Sequence, residues 1–95
     1  MITVNVQAIL NLREILGSSE LTVEIQEGST LSNLLVMLGD RYGGRFQEAI
    51  FHKSGQPARF CLFLINGREI TFLAGFQTEL KNEDTITIIP PAAGG

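Results

Sequence analysis

The 95-residue chain predicts a single α+β domain: a mixed sheet with one main helix packed on one face, followed by a flexible C-terminal tail. Three observations carry that prediction. Stretches near both ends alternate apolar and polar residues with period two, a central stretch repeats leucines at helical spacing, and strong turn signals separate them. The length suffices for one modest core and not for two. The expected division is a folded domain over 1–89, with an insertion at about 43–58, and a tail over 90–95.

Ile2, Val4 and Val6 alternate with Thr3, Asn5 and Gln7, the pattern of a strand with one buried and one wet face. Leu21, Val23 and Ile25 repeat it against Thr22, Glu24 and Gln26. Between them, Ala8 to Glu20 forms a wide hairpin connection with room for a short helical turn, which Gly17 would end. Leu31, Leu34, Leu35 and Leu38 then mark an amphipathic helix, capped by Ser29 or Thr30 and ending around Tyr42-Gly43-Gly44. In the insertion, Phe46, Ile50 and Phe51 could anchor a second short helix, while Ser54-Gly55-Gln56-Pro57 reads as a loop. Arg59 to Ile65 is the next strand, and Asn66-Gly67 signals a tight turn into a short returning strand, Arg68-Glu69-Ile70. An irregular stretch with Gly75 and the polar turn Lys81-Asn82-Glu83-Asp84 lead to the last strand, Thr85 to Ile89, with Ile86 and Ile88 inward. Two hairpins flanking one helix give the ββαββ order of the β-grasp, with the second sheet face left to solvent.

One strand breaks the alternation. Phe60 to Ile65 is apolar on both faces, although the helix covers only one side of the sheet. If Cys61, Phe63 and Ile65 point to the helix, then Phe60, Leu62 and Leu64 lie on the open face, joined by Ile89 if the last strand pairs alongside. Such a patch commonly marks a protein interface. Two alternatives stand beside this reading: the opposite register, and an insertion folded back over the patch.

Composition narrows the function. A net charge of −3 with seven Lys and Arg does not supply the basic stripe that nucleic acid requires, and an acidic surface suits a basic protein partner. No apolar run approaches the ~20 residues of a membrane span, no signal segment opens the chain, and a lone cysteine suits a reducing compartment, so a cytoplasmic protein is expected. His52 and Cys61 are the only residues of their types, which leaves no metal cluster and no cysteine–histidine pair. Glu79, Glu83 and Asp84 lie in and beside a turn, where a solvated cluster is the ordinary reading. The chain is better read as acted upon than as an enzyme with its own active site.

The tail shows where it would be acted upon. Pro90-Pro91-Ala92-Ala93-Gly94-Gly95 is charge-free, its prolines stiffen the approach, and its two glycines can enter a slot too narrow for side chains. Extended at about 3.3 Å per residue, the segment from Ile89 to Gly95 reaches roughly 20 Å, enough to put the Gly95 carboxylate in a partner's pocket while the patch docks outside.

With Leu12-Arg13-Glu14, Asn66-Gly67-Arg68, Leu80 to Asp84 and Ile89 to Gly95 in this order, the chain resembles the ubiquitin-like sulfur carriers over nearly its whole length, most of all the small subunits of molybdopterin synthase. The resemblance implies that an adenylating enzyme uses ATP to activate Gly95, which becomes a thiocarboxylate. It further implies insertion of that terminus into a large catalytic synthase subunit, where sulfur passes to a pterin precursor in molybdenum cofactor biosynthesis. The chain would bind no cofactor itself. Carriage for thiamin or cysteine synthesis, and conjugation to lysines as a protein modifier, are the alternatives that share this chemistry.

Overall fold

A computed structural model describes residues 1–9, 11–50 and 61–90. Among these residues, five strands and three α-helices run in the order β1 (Ile2–Ala8), α1 (Asn11–Leu16), β2 (Glu20–Ile25), α2 (Leu31–Tyr42), α3 (Gly44–Ile50), β3 (Leu62–Ile65), β4 (Arg68–Glu69) and β5 (Thr85–Ile89). The sheet order is β2-β1-β5-β3-β4. The β1–β5 pair is parallel, while β1–β2, β3–β5 and β3–β4 are antiparallel. This is the mixed β-grasp sheet that the alternation patterns predict.

Each periodic stretch folds as its pattern dictates. Val4, Val6, Val23, Ile25, Ile86 and Ile88 join Leu31, Leu34, Leu35 and Leu38 of α2 in one core. Thr30 is the N-cap: its hydroxyl accepts the Asn33 N–H at 3.2 Å, and its own N–H donates to Asn33 Oδ1 at 2.9 Å, a capping box with Asn in the place usually taken by Glu or Gln. The same helix start is tied to the far end of the chain, since Leu31 N–H donates to the Thr78 carbonyl and Leu80 N–H to the Ser29 carbonyl.

The helix expected in the insertion is α3, which buries Phe46 and Ile50 and packs against α1 and α2. Residues 44–50 therefore thicken the helical layer and do not fold back over the open sheet face; Phe51, His52 and the rest of the insertion lie outside the described residues. The connection between β1 and β2 holds the short helix α1, whose Leu12 and Leu16 are buried, and Gly17 follows it at φ +80°.

Three details differ from the sequence reading. The third strand is regular only from Leu62, with Cys61 just before it and Arg59 and Phe60 outside the described residues. Ile70 does not extend β4. It begins a 3₁₀ turn, Ile70–Phe72, because the Glu69 carboxylate accepts the Thr71 N–H (2.6 Å) and hydroxyl (2.7 Å) and so caps a turn instead of continuing the ladder. A second 3₁₀ turn, Gly75–Gln77, sets Phe76 edge-on to Phe63 with ring centroids 5.2 Å apart. Pro90, read as the first residue of the tail, is buried: it keeps the inward phase of Ile86 and Ile88, and the β3–β5 register continued one step sets it across from Cys61. Among the described residues no helix is long and apolar enough to cross a membrane.

Candidate functional site

The phase of β3 is set by its partners. Phe63 pairs with Ile88 and Ile65 with Ile86, so both point into the core, and Cys61 is buried with them. Leu62 pairs with Ile89, and Leu64 sits between Thr87 and Glu69, on the face away from the helices. Leu62 is 47% exposed, while Leu64 and Ile89 are half-buried. Of the four residues expected on the patch, these three share one face, and Phe60 lies outside the described residues.

The open face is divided. Toward β1 and β2 it is polar and partly hydrogen-bonded: Thr87 Oγ1 donates to Gln7 Oε1 at 3.1 Å and Thr22 Oγ1 to Asn5 Oδ1 at 3.3 Å, with Glu20 and Glu24 beyond. Toward β3 it is apolar. The apolar half adjoins the root of the tail, because Ile89 is the last residue of β5 and the cross-strand neighbour of Leu62. Pro91, Ala92, Ala93, Gly94 and Gly95 lie outside the described residues.

The turn residues considered for chemistry have structural work. Asn66 (φ +53°) and Gly67 (φ +84°) form the tight β3–β4 turn, and the Asn66 side chain accepts from Thr85 N–H at 2.9 Å and donates to Asp84 Oδ1 at 2.8 Å. Asp84 also accepts the Lys81 N–H at 2.8 Å, and Glu79 pairs with the Lys81 ammonium at 2.8 Å, which raises the lysine above its ordinary value. Glu83 is exposed at φ +69°. Among the described residues these carboxylates form no group that could hold a metal ion, and Asp84 and Glu79 organise the turn before β5. Burial pushes the Cys61 thiol up to about 11, so it is protonated and unreactive at neutral pH. Besides Met1 and Val36, two exposed apolar residues beside the strands have no role in the sequence reading. Phe72 is 79% exposed on the first 3₁₀ turn, and Ile9 follows β1 one step past Ala8. Only the termination of β4 and β1, which depends on tertiary pairing, reveals them.

A family model described as the ThiS family matches residues 6–95, which carries the match through the C-terminal glycines. The chain is 30% identical to small archaeal modifier protein 3 of Haloferax volcanii, over 87% of this chain and 88% of that one. It is also 30% identical to the sulfur carrier protein CysO of Mycobacterium tuberculosis, over 72% of this chain and 74% of the relative. Among solved structures, small archaeal modifier protein 1 of Methanosarcina acetivorans superposes with a TM-score of 0.84 at 35% identity, covering 100% of this chain and 98% of that one. The family match spans both the strand that carries the apolar patch and the tail that follows it, and the chain belongs to the ThiS family of ubiquitin-like sulfur carriers.

Proposed function

We propose that this protein carries sulfur as a thiocarboxylate on Gly95 and delivers it to a pterin precursor as the small subunit of molybdopterin synthase. The observation that carries the reading is the apolar Leu62–Ile89 pair at the root of the tail, beside Leu64. A partner that covers this pair receives the tail in a fixed direction, with Pro90 and Pro91 limiting its freedom.

The chemistry follows from the carboxylate. With an α-carboxyl pKa of about 3.3–3.7 it is ionised at neutral pH and is a poor electrophile. Attack of its oxygen on the α-phosphorus of ATP, in the activating enzyme, releases pyrophosphate and makes AMP the leaving group. A hydrosulfide equivalent then displaces AMP and leaves the thiocarboxylate. The thiocarboxylate sulfur attacks an acceptor carbon and displaces its leaving group, and water then hydrolyses the acyl–sulfur bond, which leaves the sulfur on the acceptor and restores the carboxylate. This chain positions and presents, and the synthase's large subunit holds the catalytic groups.

A second reading is conjugation, in which the same adenylated Gly95 becomes an amide on a lysine of another protein. It is favoured by the near-complete coverage of two relatives named as modifiers.

One experiment separates the readings. The chain is incubated with an adenylating enzyme, ATP and a sulfur donor, followed by intact-mass measurement and then addition of a large synthase subunit with pterin precursor. The expected product has one oxygen replaced by sulfur and reverts when the synthase turns over. A thiocarboxylate that forms but is not consumed would overturn the pterin assignment and leave carriage for thiamin or cysteine synthesis. Higher-mass adducts that survive denaturation and reductant would favour conjugation. No mass change with an active enzyme would overturn all three, and deletion of Gly95 should abolish loading without altering the fold.

A further inference from the structure

β2 is an outer strand of the sheet, and among the described residues its outer edge is blunted at both ends but open in the middle. Ala8 N–H donates to the Ser19 carbonyl at 3.0 Å, which fixes the phase of the β1–β2 ladder: Val6 with Leu21, Val4 with Val23 and Ile2 with Ile25 are the hydrogen-bonded pairs. Glu20, Thr22, Glu24 and Gln26 accordingly turn their backbone groups outward. The Ser18 hydroxyl satisfies both groups of Glu20 (2.6 and 3.1 Å), and Ser29 N–H takes the Gln26 carbonyl at 3.1 Å. Among the described residues, the N–H and C=O of Thr22 and Glu24 have no such partner.

Beside this gap lies a groove of about 450 Å³ between β2 and α2, lined by Met1, Ile25, Leu34 and Met37 and by polar residues that include Glu24 and Gln26. Residues 14–40 contain Glu14, Glu20, Glu24, Glu27 and Asp40 and neither Lys nor Arg. An extended segment paired to Thr22 and Glu24 would send every second side chain to the groove side and the others to the open face beside Glu20 and Glu24. A second copy pairing antiparallel about Thr22 would set Glu20 against Glu24 of its partner, which like-charge repulsion disfavours.

We propose that the free edge of β2 binds an extended segment of a partner protein whose side chains alternate apolar and basic. The apolar residues enter the groove against Met1 and Met37, over the buried Ile25 and Leu34, and the basic residues meet Glu20 and Glu24. This surface lies on the sheet edge opposite the β3–β4 end, so it is separate from the Leu62–Ile89 pair and does not depend on the chemistry of the tail.

The test uses the full ¹⁵N-labelled chain and two seven-residue peptides, one alternating lysine with valine and one alternating glutamate with valine. The lysine peptide should shift the amide resonances of residues 21–26 and of Leu34 and Met37, and slow hydrogen exchange of the Thr22 and Glu24 N–H groups. The glutamate peptide should do neither. Glu24→Lys, at an exposed position, should weaken the lysine peptide at least about tenfold while leaving the spectrum of the free fold in place. Equal response to both peptides, shifts confined to β3 and β5, or no shift at millimolar peptide would overturn the proposal. So would a concentration-dependent doubling of mass that Thr22→Pro, which removes an outward N–H of this edge, abolishes, since the occupant would then be a second copy.

Discussion

The two faces of the sheet meet in β3, where adjacent residues of similar chemistry have opposite surroundings. Phe63 is 2% exposed between Ile88 and the ring of Phe76, whereas Leu62 is 47% exposed beside Ile89. The inner face is covered by three helices and sustains the fold. Among the described residues the outer face is covered by none, so an apolar side chain there contributes little to folding and is available to a partner. A one-residue change of register would exchange these roles. The inward demand of Phe63 and Ile65 is therefore what holds Leu62 and Leu64 outward.

Substitutions can break this contrast in a graded way. Phe63→Ala should lower unfolding stability by about 3–5 kcal/mol in chemical denaturation, through lost burial and the cavity left against Phe76. A cost near that of an exposed site would mean that the two faces are not distinct. Leu62→Arg should act oppositely: stability within about 0.5 kcal/mol of the parent, and affinity for the proposed partners, a large synthase subunit and an activating enzyme, reduced at least about tenfold, or ~1.4 kcal/mol. Unchanged binding in both partners would remove the patch from the docking surface. Thr30→Ala tests the helical cover itself and should cost about 1 kcal/mol, measured by thermal unfolding, because the first turn of α2 loses its hydroxyl acceptor.

At neutral pH the smallest effect is that of the buried thiol on the inner side of β3. Burial raises Cys61 from 9.0 to about 11, so between these values the unfolded chain loses a proton that the folded chain keeps. Stability should be indifferent to this group below pH 9.0 and fall as pH rises toward about 11. Cys61→Ala should flatten that alkaline decline, and a thiol reagent should modify the parent only on unfolding. A decline of the same slope in the variant would show that Cys61 is not the group responsible.

Most of the sheet was legible because alternation is a local property. Thr85 to Ile89 is a strand with the expected phase, and the Leu31 to Leu38 spacing yields α2 with Thr30 as its cap. Asn66-Gly67 likewise forms the turn that its residue types favour. The end of β4 was not legible, because Glu69 could be a strand residue or a cap, and its bonds to Thr71 decide between them. Helix α3 was only suggested by Phe46 and Ile50, since seven residues carry too little periodicity without α1 and α2 to pack against.

For function, the Gly94-Gly95 ending and the doubly apolar third strand are visible in the chain alone, as is the absence of Lys and Arg from 14 to 40. Sequence by itself determined which residues could face inward or outward, since side-chain direction alternates along any strand. Only the tertiary structure decided which face was covered, that Leu62 and Ile89 are neighbours at the root of the tail, and that Thr22 and Glu24 lie on an open edge. Those outcomes depend on which strands pair across long chain separations and on the single side of the sheet to which all three helices pack.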